Sequence, residues 1–169
     1  MGAGILPVTI SKGTILFLLG KESKIKYWSD FGGSSKKFEN NYDTAIREGY
    51  EELDGFLGNK KQLSNRVTNN FIDKIEIDRY STYLFYINYY EIKYLSIYFN
   101  NNRNFLKKSL TYIPTDGIFE KSEIRLFNKN ELMINENIIR PFYRDVIYEL
   151  MNLNTDDILK NNNNKLINQ

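Results

Sequence analysis

The sequence of 169 residues contains neither cysteine nor histidine. Without cysteine the chain can form no disulfide bonds and no thiolate metal sites, which fits a reducing compartment, and we expect a cytoplasmic protein. Without histidine, Ser-His-Asp triads, HExxH zinc sites and imidazole general bases are all excluded. Any catalysis must therefore use carboxylates, lysine, tyrosine, arginine or a metal ion bound by oxygen. Mg²⁺ or Mn²⁺ suits such ligands better than zinc does.

Long apolar runs and a strong net charge are missing as well. The longest apolar runs, such as TILFLLG at 14–20, are far too short to span a bilayer, and the N-terminus lacks the features of a secretion signal. We therefore expect no membrane partner. The net charge is only +2, from 23 basic and 21 acidic residues, which gives weak support for nucleic-acid binding. The length is suited to one sizeable core.

Apolar patterning and turn residues predict an α/β (α+β) protein, with a mixed β-sheet between helices in an α/β/α sandwich. Strands are predicted at 3–10, 14–20, 27–31, 71–77, 79–89 and 117–127. Helices are predicted at 42–53 and 140–152, with a weaker helical segment at 91–110 that three asparagines interrupt. Asn40 or Asn41 is the predicted N-cap of the first helix. We expect residues 1–152 to form a single domain and the Asn-rich residues 153–169 to form a flexible C-terminal tail.

Three glutamates crowd into the first predicted helix, at Glu48, Glu51 and Glu52. Like charges one turn apart repel by roughly 0.2–0.5 kcal/mol per pair, so a partner such as a divalent cation should compensate. The opposite stripe, which we expect to face the core, consists of Tyr42, Ile46, Gly49 and Leu53. That stripe predicts that the glutamates point outward into a cleft. The alternative for this segment alone is a solvated helix face.

The glutamates belong to a longer spaced pattern. Five residues separate Gly33 from Glu39, seven more separate Glu39 from Arg47, and the glutamates follow at 48, 51 and 52. This spacing resembles the Nudix box, G-x5-E-x7-REUxEExGU with U an aliphatic residue, and the chain resembles the Nudix hydrolases over most of its length. The resemblance implies a Nudix-like α/β/α sandwich. Two positions depart from the box, because Gly49 replaces an aliphatic residue and Asp54 replaces a glycine.

The resemblance also implies roles for the matching residues. The metal ligands would be Glu48, Glu51 and Glu52, together with the backbone carbonyl of Gly33. Arg47 would orient this cluster, and Glu39 would steady the loop and the helix. The bound ion would be Mg²⁺ or Mn²⁺.

Two further glutamates, Glu120 and Glu123, lie where Nudix hydrolases often have another metal ligand or a general base. The alternative is that both are ordinary polar positions beside a strand. The sequence favours neither of the two residues over the other.

The implied reaction is a Mg²⁺-dependent attack of water on the diphosphate linkage of a small nucleoside diphosphate derivative, which makes the chain a pyrophosphohydrolase. One alternative is an mRNA-decapping enzyme, whose RNA partner would need a basic path such as Arg103, Lys107 and Lys108. Another is a catalytically silent Nudix-fold binding module. The sequence selects neither a substrate nor an oligomeric state, because specificity is expected in loops such as 21–26 and 59–70.

Overall fold

The computed structural model describes residues 1–112 and 119–159. Within these residues seven strands form one mixed sheet: β1 Gly2–Ser11, β2 Thr14–Glu22, β3 Trp28–Ser29, β4 Phe31–Ser34, β5 Phe71–Ile77, β6 Tyr80–Tyr86 and β7 Lys121–Asn128. The α-helices with assigned bounds are α1 Asn41–Glu52, α2 Lys60–Asn69, α3 Tyr89–Ser109, α4 Lys129–Ile134 and α5 Arg144–Leu150. The predicted strand residues 117–118 and the tail from 160 onward lie outside the described residues.

Strand β1 is the centre of the sheet. It is antiparallel to β2 at its C-terminal end and to β4 at its N-terminal end, and parallel to β6 along most of its length. The order across the sheet is β3-β2-β1-β6-β5, and β7 pairs with β2. Because β1 is covered on both sides and both faces, residues 2–9 are all buried. This arrangement confirms the predicted mixed sheet and α/β sandwich.

Alternate residues of β1 pack into two separate hydrophobic clusters. Ile5 belongs to the cluster beneath α1, α2 and α3, whereas Leu6 belongs to the cluster on the other face, which α5 covers. The second cluster also contains Ile158, whose exposure is 0%. Ile158, which lies in the segment 153–169 that we expect to be a flexible tail, therefore packs against this cluster.

Helix α1 begins as predicted, and Gly49 lies in close contact with the sheet. The side chain of Asn40 caps it by accepting a hydrogen bond of 2.8 Å from the backbone N–H of Asp43. A Cβ added at Gly49 would lie only 2.4 Å from Cδ1 of Ile5. The glycine that departs from the box is thus the residue that allows α1 to pack against β1.

Helices α2 and α3 differ from the sequence-based prediction, α4 was not predicted, and α5 begins at Arg144 after a 3-10 turn at Pro141–Tyr143 instead of at 140. Residues 60–69, expected to be a loop, form α2, which starts with a capping box between Asn59 and Gln62 and buries Leu63 and Val67 one turn apart. Helix α3 continues through its asparagines, because the amide of Asn100 bonds to both backbone groups of Ile124 at 2.9 Å. That side chain therefore serves as a partner for the outer edge of β7. No helix among the described residues combines the length and apolar character needed to cross a membrane.

Candidate active site

Arg47 lies at the centre of a cluster of carboxylates from α1 and from the loop before it. Its Nε and Nη2 atoms donate to the two oxygens of Glu39 at 2.7 and 2.9 Å, a bidentate pairing. Its Nη1 donates to Glu48 at 2.7 Å and to Glu51 at 3.3 Å. The hydrogen bonds from Arg47 lower the pKa of Glu39 to about 2, and those to Glu39 raise the pKa of Arg47. The structure thus gathers three of the predicted acidic residues around the predicted arginine.

Gly33 lies directly against the carboxylate of Glu48. A Cβ added at Gly33 would be 2.6 Å from Oε1 of Glu48, so any larger residue at position 33 would displace that carboxylate. The side chain of Glu48 is only 12% exposed. Burial raises its pKa, although Arg47 acts in the opposite direction. Gly33 and Glu48, which the sequence predicted to be neighbours, are therefore in contact, and the carboxylate of Glu48 is partly shielded from water.

The prediction that all three glutamates of α1 point outward is wrong for Glu52. This residue is 1% exposed and contacts the fully buried Lys121, with 3.5 Å between Nζ and Oε1. Lys121 also bonds to Glu22 at 2.7 Å and to the hydroxyl of Ser29 at 3.0 Å. A Cβ at Gly20 would lie 2.8 Å from Cδ of Lys121, so that glycine provides the space for the lysine.

Charge balance explains why Glu52 tolerates burial. Burial raises the pKa of Glu52 well above its ordinary value, and Lys121 opposes that rise. Burial lowers the pKa of Lys121, but Glu52 and Glu22 outweigh it, so the net change is upward. The Oε2 atom of Glu52 is buried and accepts no hydrogen bond from a described residue. One oxygen of this carboxylate therefore remains available inside the site.

A second buried acid, Asp30, lies between β3 and β4 and splits the strand that was predicted to be continuous at 27–31. It accepts hydrogen bonds from Tyr80 at 2.8 Å and from Thr82 at 3.0 Å. Burial raises its pKa to about 7 despite the opposing effects of Tyr80 and Lys121. Asp30 and Lys121 were both missed from the sequence, where each has the appearance of an ordinary polar strand residue.

The two downstream glutamates are placed differently. Glu120 is close enough to Glu48 and Glu52 for its charge to raise the pKa of both. Glu123 forms an ion pair of 3.7 Å with Lys21, and its side chain is 46% exposed. Glu120 therefore acts electrostatically on the carboxylates of α1, whereas the carboxylate of Glu123 pairs with Lys21.

A groove of about 350 Å³ adjoins this cluster at Gly33. Its aromatic wall is formed by Phe142, which is 42% exposed and packs edge-on against Tyr80 at 5.1 Å. The guanidinium of Arg140 lies 4.8 Å from the centre of the Phe142 ring, and Arg79 lines the same groove. The groove therefore offers an apolar surface and two cations beside the carboxylates.

The predicted basic path for RNA is only partly present on the surface. Arg103 is 3% exposed and forms an ion pair of 2.6 Å with Asp54, so it is unavailable to a phosphate backbone. Asp54 has φ +52°, a left-handed conformation that glycine adopts easily. The buried partner Arg103 holds the aspartate at the position where the Nudix box has its glycine. Lys107 and Lys108 remain exposed.

Among residues 1–112 and 119–159, no three acidic side chains are close enough together to form a preassembled metal site. Arg47 instead occupies oxygens of Glu48 and Glu51. The candidate ligands are therefore neighbours whose carboxylates would have to turn toward a bound cation.

Known proteins match this chain in three-dimensional structure but not in comparisons of sequence. The sequence matches no protein-family model, and a search of curated proteins finds no significant match. The structure resembles a C. elegans Ap4A hydrolase, with 15% identity over 89% of this chain and 93% of that one and a TM-score of 0.50. It also resembles a bifunctional NMN adenylyltransferase/ADP ribose pyrophosphatase from Francisella tularensis, solved with AMP and a Mn ion, with 12% identity and a TM-score of 0.55. The match covers 88% of this chain and 40% of that one. The chain has the fold of the Nudix hydrolases, as its resemblance to that family predicted.

Proposed function

We propose that this chain is a metal-dependent pyrophosphohydrolase that cleaves the diphosphate linkage of a small nucleoside diphosphate derivative by attack of water. The observation that carries the proposal is the cluster in which Arg47 donates to Glu39, Glu48 and Glu51, with Gly33 against the carboxylate of Glu48 and with the buried Oε2 of Glu52 left without a partner among the described residues. The two similar proteins are named for Ap4A hydrolysis and ADP ribose pyrophosphatase activity, which supports this reaction class.

The donor set fits a hard divalent cation, Mg²⁺ or Mn²⁺. Glu48, Glu51 and Glu52 would hold it, with the backbone carbonyl of Gly33 as a further oxygen ligand. The buried Oε2 of Glu52, which no described residue satisfies, is the kind of atom that a cation would complete. When bound, the ion neutralises charge that develops on the phosphate and lowers the pKa of a water molecule.

The remaining residues of the site prepare these carboxylates. Arg47 holds Glu48 and Glu51 beside each other, and Glu39 in turn holds Arg47 through two hydrogen bonds. Lys121 balances part of the buried negative charge at Glu52. Glu120 lies outside α1, and we assign it the role of general base, which accepts the proton of the attacking water at its carboxylate.

The groove beside Gly33 supports a nucleotide substrate. Its volume of about 350 Å³ is suitable for a nucleoside, and the exposed ring of Phe142 offers a surface on which a base can stack. Arg79 and Arg140 can meet phosphate oxygens at the same end. Because burial removes Arg103 from the proposed RNA path, a small substrate is favoured over capped RNA. The absence of cysteine supports a cytoplasmic site of action.

A substrate panel tests this proposal. We expect the wild-type protein to hydrolyse at least one of ADP-ribose, diadenosine tetraphosphate and a nucleoside triphosphate with Mg²⁺, and EDTA to abolish the reaction. In Phe142→Ala, KM should rise while kcat changes little, and the exposed Phe105→Ala on α3 provides the control. The absence of any metal-dependent hydrolysis would refute the proposal. Cleavage of capped RNA far exceeding that of all three small substrates would favour the decapping alternative.

A further inference from the structure

A second groove, of about 280 Å³, lies at the outer edge of β7. Strand β2, the turn after it, helix α3 and strand β7 all contribute side chains to it. We call it the lysine groove; it is lined by Lys21, Lys26, Lys107, Asn100, Asn104, Ser122 and Glu123. None of these side chains is apolar, so the groove is unsuited to a hydrophobic partner and suited to a small polar or charged ligand.

Positive charge exceeds negative charge in the lysine groove. Three ammonium groups face a single carboxylate, that of Glu123, which lies 3.7 Å from Lys21. Lys26 donates to the backbone carbonyl of Ser23 at 2.7 Å, which orients its side chain without neutralising it. Lys107 forms no ion pair with any residue in the described part of the chain. The groove therefore carries two uncompensated positive charges, which an anion would balance.

Hydrogen bonds link residues at the lysine groove to the chain segment that precedes and begins β7. The backbone N–H of Ser23, in the same turn as Lys26, donates to the carbonyl of Glu120 at 2.7 Å. The hydroxyl of Ser122 donates to the carbonyl of Lys21 at 3.2 Å. The side chain of Lys121, which lies between Glu120 and Ser122 in the sequence, does not line the groove and instead contacts Glu52. The groove and the carboxylate site are therefore built in part from consecutive residues, because Ser122 and Glu123 line the groove and Lys121 contacts Glu52.

The cations of the groove are distinct from the other cations of α3. Arg103 is buried against Asp54, and Lys108 is exposed but does not line the groove. Of the charged residues near the end of this helix, only Lys107 reaches the groove. This difference provides a matched pair of lysines, adjacent in sequence, for an experiment.

We propose that the lysine groove binds phosphate groups of the substrate that are not cleaved, so that the preferred substrate is a small, densely phosphorylated anion. This inference rests on the proposed function for its link to catalysis, but anion binding itself does not. Three lysines and the amide of Asn104 supply charge and hydrogen bonds to phosphate oxygens. The substrate class becomes a nucleotide with more phosphate groups than the scissile diphosphate, or one whose second moiety is itself phosphorylated.

Calorimetric titration with tripolyphosphate in EDTA tests the groove without metal or turnover. We expect wild type to bind, and Lys107→Gln or Lys26→Gln to weaken binding by about 10-fold or more, the value of one charge-assisted hydrogen bond. Lys108→Gln should bind as wild type does. Affinity should also fall as salt rises, because charge dominates the interaction.

Three results would overturn the inference: no binding by wild type, equal weakening by Lys107→Gln and Lys108→Gln, or groove-dependent binding of a short RNA but not of tripolyphosphate. The outcome is separate from that of the substrate panel. Tripolyphosphate binding without any hydrolysis would leave the groove in place and refute only the proposed reaction. Hydrolysis without tripolyphosphate binding would refute only the proposal that the lysine groove binds phosphate groups.

Discussion

Replacing Lys121 by methionine removes the cation that accompanies Glu52 inside the protein. Methionine is similar in length and apolar, so the change deletes the charge and creates little empty space. Removing one partner of a buried ion pair typically costs about 3–5 kcal/mol, because the other charge stays buried without compensation. The structure favours the lower end of this range for two reasons. Arg140 still lies 3.2 Å from Glu22, and Glu52 can take up a proton because burial already raises its pKa.

We therefore expect Lys121→Met to lower the free energy of unfolding at pH 7 by about 3 kcal/mol. Urea denaturation measures the loss, and Lys108→Met, an exposed lysine of α3, is the control that should stay within about 0.5 kcal/mol of wild type. A double variant with Glu52→Gln removes both charges of the pair. Because the uncompensated carboxylate is then gone, the double variant should lose less than the sum of the single losses.

Two results would refute this reasoning. One is a loss below about 0.5 kcal/mol in Lys121→Met, the size of an ordinary surface effect, which would mean that the lysine does not balance a buried charge. The other is strict additivity in the double variant, which would mean that Lys121 and Glu52 do not interact.

The remaining predictions concern stability. The pKa of Asp30 is raised from 3.8 to about 7. Its contribution to the free energy of unfolding is therefore fully present below pH 3.8 and is lost as pH rises through 7. Asp30→Asn should therefore flatten the pH dependence of urea unfolding and stabilise the protein at pH 8 by up to about 4 kcal/mol; an unchanged profile would contradict this. Ile158→Ala should cost about 2–5 kcal/mol in the same assay, since Ile158 is fully buried. Removal of 161–169 should leave the melting temperature near that of the full chain; a drop of many degrees would show that these residues stabilise the domain.

The parts of the site that the sequence predicted depend on local spacing. Helix α1 follows from its asparagine cap and its apolar stripe, and the fixed distance between Gly33, Glu39 and Arg47 brings the loop back onto the helix. These relations are confined to about twenty residues of chain, in which backbone geometry limits the possible arrangements. The helix start and the cluster around Arg47 could therefore be anticipated.

The buried part of the site depends on contacts between distant segments, which spacing does not encode. Lys121 meets Glu52 only because β7 pairs with β2 and Gly20 leaves room for the lysine side chain. Asp30 is enclosed only once β6 brings Tyr80 beside it. In the sequence these residues resemble solvated strand positions, so their burial could not be recognised before the strand pairing was known.

Helix α2 was missed for a related reason. Its sequence, KKQLSNRVTN, has only two buried apolar residues, Leu63 and Val67, and polar residues at most other positions. Such a segment is a weak helix former in isolation and is stabilised by packing on the sheet and on α1. Its capping box, Asn59 with Gln62, was the one local signal that could have identified it.

The proposed reaction requires Glu120 to act with the carboxylates of α1 in cleaving a diphosphate, and it gives no role to Glu123. The most direct measurement is kcat with Mg²⁺ for Glu51→Gln, Glu120→Gln and Glu123→Gln, using whichever small nucleotide the wild type hydrolyses, with urea unfolding to confirm that each variant is folded. We predict that kcat falls by about 100-fold or more in Glu51→Gln and Glu120→Gln, the scale of a lost general base or metal ligand, and changes little in Glu123→Gln. Near-wild-type turnover in Glu51→Gln, or equal losses in Glu120→Gln and Glu123→Gln, would contradict the account.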